Sequence, residues 1–245
     1  MLVFTPEERA ELRETLIRAA RADLDVTGLA LTGSAALGRE DRWSDIDLAL
    51  GLALNADEGE VVARWTGRLY REHGAVWQGR VRYRVFLLAD TLQVDLSFWP
   101  PGEFGATGPA FRLLFGTAVE RPPGPALAAS DLIGWAWLYA RHVRSCLKRG
   151  RVWQAELMVS GMRAQVLSLA CLQHGLPAHQ GRGLDDLPPE VTGPFAATLV
   201  RSLEKAELER AFEATTALFL RELAQEDAAL AGRLAEPLGL LIGQE

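Results

Sequence analysis

The sequence predicts an α+β fold: a mixed β-sheet domain with flanking helices in the N-terminal half, then an α-helical bundle. Three observations predict it. Short β-type runs alternate with amphipathic helical stretches between residues 6 and 99. A Gly- and Pro-rich tract follows over 103–125, densest at Arg121-Pro122-Pro123-Gly124-Pro125. From Ser130 onward only helical periodicity remains. The expected domains are therefore residues 1–120 and 126–245, joined by the Gly/Pro tract, and 245 residues leave room for two.

Each element has a local reason. Thr5-Pro6-Glu7-Glu8 is a helix start: Thr5 caps, Pro6 suits the first helical position and Glu8 completes a capping box. Leu12, Leu16 and Ala19/Ala20 give that helix, 6–22, an apolar stripe. Val26–Thr32 reads as a strand ended by Gly33-Ser34, and 35–38 as one helical turn. Residues 39–44 read as loop, 46–54 as a second strand and 57–73 as a helix with Val61, Val62, Trp65 and Leu69 on one side. Gly74 follows as its C-cap. Residues 81–89 and 92–99 read as two strands with a tight turn at Asp90-Thr91. Helices are expected at 130–149, 151–174, 191–202, 204–224 and 226–240.

Composition narrows the class. Hydrophobic residues make up 49% and charged residues 24%, a globular balance that supports a sizeable core. The net charge of −6 argues against nucleic acid as the main partner, since such binders more often carry a basic excess. Lys148 and Lys205 are the only lysines, so a phosphate contact from the first 147 residues must come from arginine, backbone N–H or hydroxyl groups. Cys146 and Cys171 fall in apolar helical patterns, are expected as buried free thiols, and suit a reducing, cytoplasmic compartment. The N-terminus does not read as a signal peptide, and no stretch of about 18 uncharged apolar residues predicts a membrane span.

The chemistry-bearing segment runs from Gly33 to Asp47. Gly33 permits a sharp exit from a strand and close approach by a phosphate. Ser34 adds a hydroxyl beside exposed backbone N–H groups, an anion-binding arrangement. Arg39 can reach phosphate oxygens, and Ser44 can tether the loop. Asp45 and Asp47 stand two apart, so in a strand they point the same way. Two adjacent carboxylates repel each other unless a cation lies between them, and Mg²⁺, a hard ion with oxygen ligands, is the natural one. In 92–99, Leu92, Val94, Leu96 and Phe98 form an apolar face, and Gln93, Asp95 and Ser97 the other. Asp95 therefore joins the two aspartates if the strands share a sheet. Asp-x-Asp alone is common in turns; strands on both sides and a third acid make the combination specific.

Gly-Ser, ten intervening residues and Asp-x-Asp resemble the signature of DNA polymerase β-like nucleotidyltransferases, nearest the minimal and antibiotic (aminoglycoside-type) branch. Gly38-Arg39 and Ser44-Asp45-Ile46-Asp47 are similar to that branch too. The stretch Arg151-Val152-Trp153-Gln154-Ala155-Glu156 with Arg163 is similar to bacterial nucleotidyltransferase-domain proteins. The resemblance covers residues 27–99 and is less specific beyond them. It implies Mg²⁺, two ions by the usual two-metal scheme, held by Asp45, Asp47 and Asp95, and a nucleoside triphosphate gripped by Gly33, Ser34, Arg39 and Ser44. It implies transfer of a nucleoside monophosphate, AMP from ATP in the first instance, to a hydroxyl of a small molecule such as an aminoglycoside or lincosamide antibiotic. The product would be a modified antibiotic, hence resistance, with release of pyrophosphate. The general base is Asp95 or Glu156, a carboxylate from the helical half, which would wall the acceptor pocket. Two other readings stay open: an antitoxin-like adenylyltransferase acting on a protein or RNA, and a non-catalytic nucleotide-binding module. The oligomeric state, a homodimer included, is open as well.

Other groups read as ordinary structure. Glu156, Ser160 and Arg163 lie on nearly one side of a helix, where a salt-bridged acid competes with a catalytic one. Lys148, Arg149, Arg151, Arg82 and Arg84 read as solvated charges, and His142, His174 and His179 lack a partner pattern. Trp135, Trp137 and Trp153 are expected in the core, with the lining of a substrate pocket between the halves as the alternative. Gly181-Arg182-Gly183 has no strand before it and reads as loop.

Overall fold

A computed structural model describes residues 3–78, 83–122 and 127–243, and divides the chain into two compact units, Met1–Pro125 and Ala126–Glu245. The expectations for Val81 and Arg82 lie outside the described residues.

The first unit carries helices α1 (Pro6–Ala22), α2 (Gly33–Leu37) and α3 (Glu58–Glu72) and strands β1 (Val26–Thr32), β2 (Ile46–Leu52), β3 (Ala75–Gln78), β4 (Tyr83–Leu88), β5 (Gln93–Trp99) and β6 (Phe111–Phe115). The capping box that starts α1 is present: Glu8 N–H donates to Thr5 Oγ1 and Thr5 N–H to Glu8 Oε2. The strands form one sheet in the order β3-β4-β5-β2-β1-β6. β2 and β5 are parallel; every other pairing is antiparallel.

Period-2 alternation then sorts the side chains. Ile46, Leu48 and Leu50 of β2 and Val94, Leu96 and Phe98 of β5 are buried with Leu16, Ile17 and Ala20 of α1 and Val61, Trp65 and Leu69 of α3. The opposite face carries Asp47, Ala49, Asp95 and Ser97. There Phe104 fills the space beside the small residues Ala30 and Ala49, with Trp99, Phe111 and Ala118 around it. Burying such a ring contributes roughly 2 kcal/mol. This face is closed by one aromatic plug at one end and left open where the two aspartates stand.

Two strands escaped the sequence reading. β3 is four residues long and directly follows the helix end at Gly74. β6 falls inside the tract read as a crossing between domains. It is an edge strand on β1 whose residues are half-buried or exposed, so it shows no apolar alternation, and Gly108-Pro109 and Gly116 around it look like loop.

The second unit contains α4 (Ala129–Lys148), α5 (Val152–Gln173), α6 (Pro189–Thr192), α7 (Lys205–Glu226) and α8 (Ala228–Ile242). Leu132, Val143, Val159, Met162, Leu208, Phe212 and Phe219 form its core. The helix expected at 191–202 is instead the single turn α6 and a 3₁₀ turn over Gly193–Thr198; Gly193 and Pro194 weaken helical hydrogen bonding there. Cys146 and Cys171 are free and buried, as expected. Trp135, Trp137 and Trp153 are not in the core: they are 53%, 45% and 75% exposed. Leu132, Ile133, Ala136, Ala140 and Val143 already occupy the inward stripe of α4, which leaves Trp135 and Trp137 no place on it. Helix α5 is long and apolar enough to cross a membrane by length and composition, and in this fold Ala155, Val159, Met162, Val166 and Leu169 bury one side of it.

Candidate active site

The parallel pairing of β2 with β5 sets Asp47 directly beside Asp95. Asp45 stands one residue before β2 begins. One carboxylate oxygen from each of Asp45, Asp47 and Asp95 lies within 4.8 Å of the others, and all three residues are half-buried. Gln93, two residues before Asp95 on the same face, donates its amide N–H to Asp95 Oδ1 at 3.0 Å and to Asp45 Oδ2 at 3.4 Å. Burial raises the pKa of Asp95, the Gln93 hydrogen bond opposes this, and the Asp45 charge adds to the rise.

Gly33 is required by this packing. Its φ is +60°, and a Cβ there would lie 2.0 Å from Asp47 Oδ2. Only a residue without a side chain lets the backbone turn off β1 and lie against the carboxylate. The next residue, Ser34, keeps its Oγ buried with no hydrogen-bond partner among the described residues. A buried hydroxyl of this kind is costly unless something bonds to it. Three carboxylates and an unpartnered hydroxyl are hard oxygen donors, the set suited to Mg²⁺ and a phosphate group. The residues fit the ion and the phosphate group that the sequence implies.

The loop between α2 and β2 is tethered twice. Ser44 Oγ accepts from Asp41 N–H at 2.9 Å and donates to Asp41 Oδ1 at 3.0 Å, the tether expected of Ser44. Bonds from Trp43 N–H and Ser44 Oγ hold the Asp41 carboxyl below its ordinary pKa. The second tether is Arg9, which sequence reasoning missed. It is 5% exposed, and its Nη1 donates to the carbonyls of Asp41 at 2.6 Å and Ser44 at 3.0 Å. Glu40 balances the charge, 3.5 Å from Arg9 Nε and bonded also to Arg13. Arg9 thereby fixes the peptide that leads into Asp45. The signal was present: positions 9, 12, 16 and 20 form one helical stripe, and an arginine on an apolar stripe implies a buried partner.

Arg39 sits on the exposed rim, its N–H bonded to Ser34 O at 3.0 Å. Glu156 belongs to the second unit. Its Oε1 accepts from Ser160 Oγ at 2.6 Å, and Arg163 donates to Ser160 Oγ at 3.0 Å and to Thr198 O at 3.1 Å. Burial lowers the Arg163 pKa, and Glu156 partly offsets that. A carboxylate within such a chain has a structural use of its own.

Beside Asp47 and Asp95 opens a cavity of about 350 Å³, lined also by Ser97, Trp99, Phe111 and Arg121. That size suits part of a small-molecule ligand.

No protein-family model matches this sequence, and no curated protein matches it. Among solved structures, the chain is similar to an aminoglycoside 6-adenyltransferase from Bacillus subtilis. The identity is 11% and the TM-score 0.42, covering 99% of this chain and 100% of that one. It is also similar to the CD-NTase CdnG of Bradyrhizobium diazoefficiens in complex with GTP, at 13% identity and TM-score 0.31, covering 94% of this chain and 76% of that one. Both likenesses are distant.

Proposed function

We propose that the protein is a divalent-metal-dependent nucleotidyltransferase that moves a nucleoside monophosphate from a triphosphate to a hydroxyl of a small acceptor. One observation carries this reading: the mutual approach, within 4.8 Å, of carboxylates from Asp45, Asp47 and Asp95 at the open end of the sheet. Three acids so close have no structural purpose that a buried aliphatic residue would not serve better. They make sense where cations share them with phosphate oxygens.

Asp45, Asp47 and Asp95 would hold Mg²⁺, which when bound withdraws charge from the phosphates and stabilises an in-line displacement. Ser34 Oγ and the backbone at Gly33 would bond the terminal phosphates, with Arg39 closing over them from the rim. Asp95 suits the proton-accepting role. Burial raises its pKa, which makes it a better base than an ordinary aspartate. The acceptor oxygen forms a bond to the α-phosphorus and the bond from that phosphorus to the bridging oxygen breaks. The hydroxyl proton passes to Asp95 and pyrophosphate leaves. The resemblance in the motif points to ATP as donor and to an aminoglycoside or lincosamide as acceptor.

The test is label transfer. The protein, Mg²⁺ and each α-³²P-labelled triphosphate are incubated with a panel of hydroxylated compounds, those two antibiotic classes included. A labelled acceptor and stoichiometric pyrophosphate are expected, both lost in Asp47→Asn. Triphosphate binding with no labelled product and no pyrophosphate across the panel would sink the reading.

A further inference from the structure

The cavity beside the aspartates contains a cation that the transfer chemistry above does not use. Arg121 lines it, and the Arg121 Nη1 atom is buried without a hydrogen-bond partner among the described residues. An unpaired guanidinium N–H in a buried position is unfavourable, so its neighbourhood invites an acceptor.

The surroundings hold Arg121 in place. Its guanidinium carbon lies 4.6 Å from the centroid of the Trp99 ring. Trp99 is itself fixed, because its Nε1–H donates to Ser97 Oγ at 2.9 Å. The backbone leading to Arg121 is anchored by Val119 N–H bonding to Phe104 O at 2.8 Å. This approach needs Gly105, where a Cβ would lie 2.0 Å from Val119 O. Phe111 gives the cavity an apolar wall and packs edge-on against Phe104 at 5.7 Å. The result is a slot with aromatic walls, a fixed donor-only head and a carboxylate cluster at the other end.

Charge and length then select the ligand. Arginine offers donors and no acceptor, so the group it meets must present acceptors. An ammonium group would meet like charge there, which disfavours a polycationic compound in this slot. Asp95 and Trp99 are four residues apart on one strand face, about 13 Å at 3.3 Å per residue. That accommodates a purine nucleotide from its α-phosphate to the far edge of its base, with an ion between the phosphate and Asp95. Guanine presents O6 and N7 as adjacent acceptors, the pair a guanidinium fork bonds best, whereas adenine replaces O6 with an amino donor.

We infer that this cavity is a nucleobase subsite in which Arg121 selects guanine, making GTP the preferred donor. The inference rests on the transfer reading above and departs from the ATP expectation, which the motif resemblance alone supports.

Calorimetric titration of the full chain with Mg²⁺ and the α,β-methylene analogues of GTP, ITP, ATP and CTP tests it. The GTP analogue is expected to bind roughly 10-fold tighter than the ATP analogue, within the range for one bidentate arginine–guanine contact. The ITP analogue keeps O6 and N7 and should bind like that of GTP. Arg121→Gln should bring all four within about 2-fold of one another. Equal or tighter binding of the ATP analogue by the wild-type protein would overturn the inference. So would an ITP analogue that binds like ATP, or a guanine preference that survives Arg121→Gln. The ITP comparison needs no variant, so a poorly folding Arg121→Gln does not remove the test. If no triphosphate analogue binds at all, the transfer reading itself falls, and this inference with it.

Discussion

The two faces of one sheet are built from alternate residues of the same strands, and they serve opposite ends. On the closed face, Ile46, Leu48, Leu50, Val94, Leu96 and Phe98 are at most 1% exposed and pack beneath α1 and α3. On the open face, the residues between them are Asp47, Ala49, Asp95 and Ser97. The closed face gains stability from every buried methylene. The open face gathers carboxylates that repel one another and leaves Ser34 Oγ and Arg121 Nη1 without partners among the described residues. On the proposed function these are the groups that ions and phosphates would satisfy, and the helix-covered face supplies the stability that makes this tolerable.

That contrast can be broken from either side. The largest effect is expected at Asp47: Asp47→Asn should cut turnover at least ~10³-fold, about 4 kcal/mol of transition-state stabilisation, while chemical denaturation shows stability unchanged or improved. Activity within a few-fold of wild type would remove Asp47 from the site. The same substitution at Asp45 should behave alike. One residue along, Leu48→Ala should do the reverse. It should cost about 3 kcal/mol in urea unfolding, with turnover per folded molecule nearly unchanged, because the cavity it leaves opens on the other face.

A smaller effect sharpens the comparison at its edge. Arg9→Met removes two charge-assisted bonds to the loop before Asp45 and should cost about 2 kcal/mol of stability. Arg9 would act by positioning, so Mn²⁺ affinity read by electron paramagnetic resonance should also fall about 10-fold. An unchanged Mn²⁺ affinity would make Arg9 purely structural.

The smallest effect is that of pH and Asp95. Its folded pKa is raised above the ordinary 3.8. The folded state therefore holds this proton more tightly than the unfolded state. Its contribution to stability is present below the ordinary value and lost as pH rises through the raised one. Above that raised pKa the ionised group is a liability without a cation. Asp95→Asn should then raise the melting temperature of the metal-free protein by roughly 1–2 °C. Wild-type Mg²⁺ affinity should weaken as pH falls through the raised pKa, because proton and ion compete for one carboxylate. A flat Mg²⁺ affinity from pH 7 to 4 would contradict this.

Much of this was legible in advance, for identifiable reasons. The capping box at Thr5, the alternation in β2 and β5, and Gly33 before the acids are local signals, because each depends on neighbours within a few residues. Arg9 was legible in principle as the charged member of an apolar stripe. β6 and Arg121 were not. Both lie in a tract whose glycines and prolines look like a linker, and an edge strand needs only a neighbour's backbone to pair with.

By itself the sequence determined the fold class, the ends of most helices, the face on which each strand residue stands and the three acids that break the apolar pattern. Those follow from short-range sterics and from periods of 2 and 3.6 residues. Only the tertiary structure decided that β2 and β5 run parallel and side by side, which sets Asp47 against Asp95 across 48 residues of chain. It alone laid Arg121 over Trp99. Pairing of distant strands depends on the packing of the whole domain, and no window of neighbouring residues contains that information.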